Sequence, residues 1–185
     1  MRLVLASASP RRAELLRAAG LTFEIVVTDV DESRRGNESP STYVRRLAAE
    51  KSAAALTKIK DPDAVVLGAD TAVVVDGDIL GKPADDGEAA AMLRRLSGRA
   101  HEVLTGVSLR RGAHEIGRVA STSVHFSSLT ADDIGWYVAS GEGRDKAGAY
   151  AIQGLASRFI PRINGSYANV VGLPIACVVE LLRDV

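Results

Sequence analysis

Hydrophobic positions along this chain switch between a period near 3.6 and a period of 2, and the switches mark out its elements. Leu3–Leu5 reads as a short strand, Pro10–Ala19 as a helix closed by Gly20, and Phe23–Val27 as a second strand, a βαβ opening. Asp31–Ser39 is polar and turn-rich, and Ser39-Pro40-Ser41 then starts a helix that runs to about Thr57. Val65–Val75, VVLGADTAVVV, is a nearly unbroken apolar run, the pattern of a strand buried on both faces. Gly77-Asp78 predicts a hairpin turn, Gly87–Leu96 a helix stopped by Ser97-Gly98, and His101–Arg110 with Glu115–Phe126 two long strands paired around Gly112. Thr130 caps a helix over Ala131–Ser140, Gly141–Gly172 is glycine-rich and irregular around a strand at Phe159–Ile163, and Pro174–Leu182 is the last helix. The alternation predicts one α/β domain over residues 1–185, a mixed twisted sheet with flanking helices.

Composition narrows the function classes. At 185 residues the chain is long enough to bury a core without disulfides, and its single Cys177, in an apolar helical pattern, permits neither an internal disulfide nor a thiolate metal cluster. Lys plus Arg number 23 against 23 Asp plus Glu, so an anionic partner has to be met by a local concentration of cations. With that balance and only 4% aromatic residues, the chain lacks the basic surface and the stacking platform of a nucleic-acid binder. No charged leader with an apolar core and a cleavage pattern opens the chain, and no apolar run reaches spanning length, which predicts a cytoplasmic protein that engages no membrane.

Four places break local rules. Asp70 is a lone carboxylate in the Val65–Val75 run; burying it unpaired costs several kcal/mol, so it needs cationic or metal partners, a proton, or a cleft. In Ser7-Ala8-Ser9-Pro10-Arg11-Arg12, Ser9 as N-cap and Pro10 make a good helix start. Arg11 and Arg12 nevertheless occupy the first turn, where the macrodipole disfavours cations by roughly 0.3–1 kcal/mol each. Either they are solvated on an ordinary helix or, with Ser7, Ser9 and the helix amides, they form a polyphosphate grip. Lys51 falls in the apolar stripe Val44, Leu47, Ala48, Ala55 and so points inward, either snorkelling past the core or leaning over a cleft towards Asp70 or a phosphate. Lys82 sits between Gly81 and Pro83 after a hairpin, as surface decoration or as another phosphate contact; Gly77–Lys82 has neither the spacing nor the Ser/Thr of a P-loop.

The late segment GRDKAGAYAIQG, Gly143–Gly154, followed by GSYANVVGLP, suits close approach of backbone to a ligand, with the Gln153 amide able to donate and accept at a base edge. His101, His114 and His125 lie far apart without metal-ligand spacing and read as structural, and no G-x-S-x-G elbow supports a serine hydrolase.

Taken together, LASASPRR, Asp31-Glu32, the Lys51 helix, GADT at Gly68–Thr71, GKP at Gly81–Pro83, Thr105-Gly106-Val107, DKAGAYAIQG and GSYANVVGLP closely resemble the Maf family of nucleoside triphosphate pyrophosphatases. The resemblance covers essentially the whole chain. It implies the α/β fold of inosine triphosphate pyrophosphatases, two lobes around a nucleotide cleft, and a homodimer. Thr71 after the acid and Gln153 in the IQG resemble the dTTP/UTP branch rather than the 7-methyl-GTP branch, which carries Gln and Glu there. The resemblance gives Arg11, Thr71 and Gln153 specificity roles and makes Asp70 the proton acceptor.

The implied reaction is hydrolysis of dTTP or UTP to the monophosphate and pyrophosphate, with modified pyrimidine triphosphates as further housecleaning substrates. Asp70 positions or deprotonates the attacking water, and Asp70 with Glu32 holds a divalent cation, Mg or Mn. Ser7, Ser9, Arg11, Arg12, Lys51 and Lys82 bind the phosphates, with Lys51, Lys82 and Glu32 also taking part in catalysis. The rival reading is a nucleotide-binding regulator of septum formation in which catalysis is secondary.

Overall fold

A computed structural model describes residues 2–185. Seven strands form one mixed sheet: β1 (Leu3–Ala6), β2 (Glu24–Ile25), β3 (Val65–Val75), β4 (Asp78–Leu80), β5 (Ala100–Arg111), β6 (His114–His125) and β7 (Arg162–Asn164). Their order is β2-β1-β3-β5-β6-β7, with β4 paired to β3. β1 runs parallel to β2 and β3, while β3/β4 and β6/β7 are antiparallel. The helices are α1 (Pro10–Ala18), α2 (Pro40–Lys58), α3 (Asp86–Leu96), α4 (Ala131–Ala139), α5 (Tyr167–Val171) and α6 (Ile175–Leu181). Among the described residues no helix is long and apolar enough to cross a membrane.

The chain divides into two compact units. The first comprises the chain up to Thr71, Thr105–Ala120 and Gly172–Val185; the second comprises Ala72–Leu104 and Ser121–Val171. In the first unit every residue of β1 is buried, and its alternation supplies two cores. Leu3 and Leu5 pack with Leu16 of α1 and with Val178 and Leu181 of α6, whereas Val4 and Ala6 cluster with Ala55 of α2. A strand buried on both faces needs apolar residues at consecutive positions, which is why β1 and β3 lack polar alternation.

The second unit has a single core in which Leu93 and Leu96 of α3, Ile134 and Tyr137 of α4 and the rings of Phe126, Tyr150 and Phe159 pack together. Asp85 caps α3 by accepting from the Glu88 amide at 2.8 Å, and Thr130 with Asp133 forms a capping box on α4.

Several boundaries differ from those read in the sequence, each for a local reason. The hairpin turn is Asp76-Gly77, both with positive φ, and Asp78 already pairs with Val75, which is a two-residue turn of the primed type. The strand expected over Phe159–Ile163 is displaced: Leu155–Phe159 forms a 3₁₀ helix and the strand starts after Pro161, as β7. Proline has no N–H for the ladder, so pairing begins beyond it. β2 is only two residues long, its last link being the Val26 amide to the Leu5 carbonyl at 3.0 Å. The short helix α5 lies inside the stretch read as irregular.

Candidate functional site

The first unit brings together most of the residues that broke local rules. Lys51 is buried on α2, and its Nζ donates to Asp70 Oδ1 at 2.7 Å and pairs with Glu32 Oε1 at 2.6 Å. Two glycines make this reach possible. A Cβ on Gly68 would stand 2.1 Å from the Ala48 carbonyl oxygen, and one on Gly106 would stand 2.2 Å from the Val44 carbonyl oxygen. Helix α2 therefore lies directly on the backbone of β3 and β5. Asp70 shares a strand face with Gly68, and Lys51 follows Ala48 by one helical turn, so the close approach delivers the ammonium to the acid. Of the two readings of Lys51, the ion pair with Asp70 is the one realised.

Arg12 does something the sequence alone did not indicate. Its Nε donates to the Gly172 carbonyl at 2.9 Å, Nη1 to the Ala69 carbonyl at 2.9 Å and to Ser7 Oγ at 3.2 Å, and Nη2 to Thr71 Oγ1 at 3.2 Å. It thus grips both chain neighbours of Asp70 and joins α1, β3 and the Gly172 turn. Thr71 Oγ1 is also within bonding distance of Thr105 Oγ1, 2.9 Å, and of the Gly172 carbonyl, 3.2 Å. Ser7 Oγ accepts from the Ser9 amide at 3.2 Å as well, and Ser9 stands at the N-cap of α1 without a side-chain cap bond. Arg11 is half-buried one position away and forms no ion pair among the described residues.

Electrostatically the cluster is poised. Burial pushes the Asp70 carboxyl above its ordinary value, against the opposing pull of the Lys51 charge and hydrogen bond and of Arg12. Burial in turn lowers the Arg12 guanidinium, with the Asp70 charge opposing. The Asp70 carboxyl is thereby more basic than that of a solvated aspartate, and a more basic carboxylate takes a proton from water more readily.

Glu32, on the loop before α2, is held by Lys51 while its side chain is largely exposed, and its backbone carbonyl accepts from the Tyr43 hydroxyl at 2.9 Å. Among the described residues no group of three or more acidic, histidine or cysteine side chains could hold a metal. Two carboxylates around one lysine nonetheless suit a hard cation of the magnesium kind, which takes one or two protein carboxylates and completes its shell with water and substrate phosphate.

Lys82 and Gln153 belong to the second unit, and both side chains are exposed. The Gly81 carbonyl before Lys82 accepts from the Gly148 amide at 3.0 Å, which ties the GKP turn to the DKAGA loop. Arg144 on that loop makes a two-pronged contact with Asp86 of α3, both distances 3.0 Å. Gln153 lies on the wall of a pocket of about 450 Å³ with Ile152, Ser157, Ile160, Arg162 and Tyr167. The sequence reading missed the close-packing role of Gly68 and Gly106. The available signal was a glycine inside each of two strand patterns, a position where another backbone can approach closely.

A family model described as "Maf-like protein" matches residues 2–185. The dTTP/UTP pyrophosphatase of Symbiobacterium thermophilum is 53% identical over 182 residues, covering 98% of this chain and 93% of that protein. The protein of the same name from Syntrophus aciditrophicus is 50% identical over 185 residues, covering 99% and 89%. That from Escherichia coli O157:H7 is 52% identical over 182 residues, covering 98% and 92%. Among solved structures, the Ham1 protein of Staphylococcus aureus aligns with a TM-score of 0.53 at 15% identity, covering 100% of this chain and 97% of its own, a likeness of fold.

Proposed function

This chain belongs to the Maf-like family, and from that premise we propose that it is a nucleoside triphosphate pyrophosphatase that hydrolyses dTTP and UTP to the monophosphate and pyrophosphate. The observation that carries the reading is the Lys51 bridge between Asp70 and Glu32, in a chain about half identical to proteins named for that reaction. Modified pyrimidine triphosphates are expected to share the site.

In the proposed mechanism Asp70 accepts a proton from the water that attacks the α-phosphorus, and the α–β phosphoanhydride bond breaks as pyrophosphate leaves. Lys51 fixes the orientation of the Asp70 carboxylate and, with Arg11, offsets negative charge on the phosphates. Arg12 keeps Ala69, Asp70 and Thr71 in register, so its contribution is positional. Asp70 and Glu32 would hold a divalent cation, Mg or Mn, which when bound supplies charge neutralisation at the phosphate oxygens. Lys82 as a further phosphate contact and Gln153 as a reader of the base enter this proposal on their motifs. The homodimer, testable by sedimentation, enters it on the family resemblance, and the cytoplasmic setting on the enzyme class.

The test is turnover of dTTP, UTP, CTP and 7-methyl-GTP with pyrophosphate as the readout, each with Mg, with Mn and with chelator. Pyrophosphate release from dTTP and UTP ahead of the other two, lost with chelator, is the expected result. Nucleotide binding without pyrophosphate release would overturn it in favour of a regulatory binding protein.

A further inference from the structure

We propose that Glu142 is a positioning residue for Gln153: its carboxylate, together with the Tyr137 hydroxyl, clamps the turn that carries Gln153 and thereby sets which nucleobase is accepted. This rests on the reading of Gln153 as the base-reading amide. The Gln153 turn is pinned on both sides. Before it, the Ala151 amide donates to the Tyr137 hydroxyl at 3.1 Å; after it, the Leu155 amide donates to Glu142 Oε1 at 2.9 Å and the Ala156 amide to Oε2 at 3.4 Å. The two clamping side chains are joined, because the Tyr137 hydroxyl donates to Glu142 Oε2 at 2.7 Å. Burial and that bond push the Tyr137 phenol well up, so it remains a donor to the carboxylate.

The turn's own closure within this stretch, the Gly154 amide to the Ala151 carbonyl at 3.1 Å, is a single backbone bond. Gly154 is the complement of the clamp. A Cβ there would stand 1.8 Å from Glu142 Oε1, so the carboxylate occupies the space a side chain would need. Tyr137 itself is only 1% exposed and belongs to the core of the second unit, so the backbone that carries the exposed Gln153 is referred to a rigid support through two bonded side chains. Specificity from a hydrogen-bonding side chain requires that kind of fixed aim, since a mobile amide can rotate to satisfy more than one base edge.

The test is kcat and KM for dTTP, UTP, CTP and 7-methyl-GTP in the wild type, Glu142→Gln, Gln153→Ala and the double variant, with thermal melts as the control for folding. Glu142→Gln keeps the shape but turns a donor towards an N–H or the phenol, and the loss of one such bond is expected to reduce discrimination for dTTP over 7-methyl-GTP by about tenfold. The change should fall on the dTTP KM with little change in kcat. Tyr137→Phe, which removes one oxygen from the same clamp, should move discrimination in the same direction and serves if Glu142→Gln does not fold. In the Gln153→Ala background Glu142→Gln should add nothing further. A change in kcat/KM by one common factor for all four nucleotides, or effects that multiply in the double variant, would overturn the positioning role. If Gln153→Ala relaxes discrimination and neither clamp variant does, the clamp alone falls. If Gln153→Ala leaves discrimination at the wild-type level, the base-reading role falls and the proposal with it.

Discussion

In the first unit Asp70 is buried against the Lys51 ammonium at 2.7 Å with Arg12 beside it, whereas in the second unit Glu142 is held by the Tyr137 hydroxyl and two backbone amides. Both arrangements satisfy a carboxylate, and they leave it fit for different work. An acid balanced by charged partners can exchange a proton and share those cations with a phosphate, because a charge acts at a distance and without a fixed direction. An acid bonded to N–H and O–H groups of fixed direction gains geometry instead, since each bond constrains an angle as well as a distance. The two glycines packed against these sites differ in the same sense. Gly68 faces backbone, the Ala48 carbonyl, while Gly154 faces the end of a side chain, the Glu142 carboxylate.

Replacing each acid with its amide should separate the two roles most widely. Asp70→Asn is expected to lower kcat/KM for dTTP by about 10²–10⁴-fold, the usual worth of a general base, measured as pyrophosphate release. Glu142→Gln should leave kcat within about threefold, because a positioning bond contributes little to the chemical step itself. A parent rate for Asp70→Asn would remove Asp70 as the proton acceptor. Next in size is Gly68→Ala, which has no flexible neighbour to move. A loss of about 3 kcal/mol in urea unfolding is expected, with reduced turnover as Lys51 is pushed from Asp70. An unchanged midpoint would show that α2 can lift without cost.

A third test concerns the neutral base that the second unit buries. His101 Nε2 meets the Tyr150 hydroxyl at 2.8 Å, its Nδ1 has no hydrogen-bond partner among the described residues, and the Phe126 and Tyr150 rings pack edge-on to it. Burial pushes the imidazole down from 6.5 to about 4. The unfolded chain therefore binds this proton more readily than the folded one, so stability is full above about pH 6.5 and is lost as the pH falls towards 4. The loss amounts to roughly 3 kcal/mol at the acid end. Denaturant titrations at pH 7 and pH 4.5 should show the drop in the wild type and a smaller one in His101→Phe; equal drops would assign the acid sensitivity elsewhere. Smaller again is Gly154→Ala, about 2 kcal/mol in the same assay, because the added Cβ drives the Glu142 carboxylate off the Tyr137 hydroxyl and the Leu155 amide. Its sharper consequence is a loss of base discrimination in step with Glu142→Gln.

Much of this molecule is legible in local pattern. The apolar run of β3, the Ser39-Pro40 start of α2 and the paired strands β5 and β6 all follow from it, because local pattern records which face of an element is buried. Asp70 and Lys51 stand out for the same reason, as charges on faces that ought to be apolar. The partners of those charges are another matter. Lys51 and Asp70 lie 19 residues apart, and Arg12 finds the Gly172 carbonyl across 160. Arg12 reads equally as a solvated cation or a phosphate ligand, because nothing near it in the chain reveals three carbonyl and hydroxyl acceptors arriving from elsewhere. Glu142 gives no signal at all, since an acid after a helix is ordinary and only the return of Leu155 and Ala156 onto it makes it a clamp. The amino-acid sequence by itself thus determined the elements, their buried faces and the presence of stray charges, through short-range periodicity. Tertiary structure alone decided which charge meets which, because a hydrogen bond depends on ångström-scale approach between elements, and that approach is governed by how helices and strands cross.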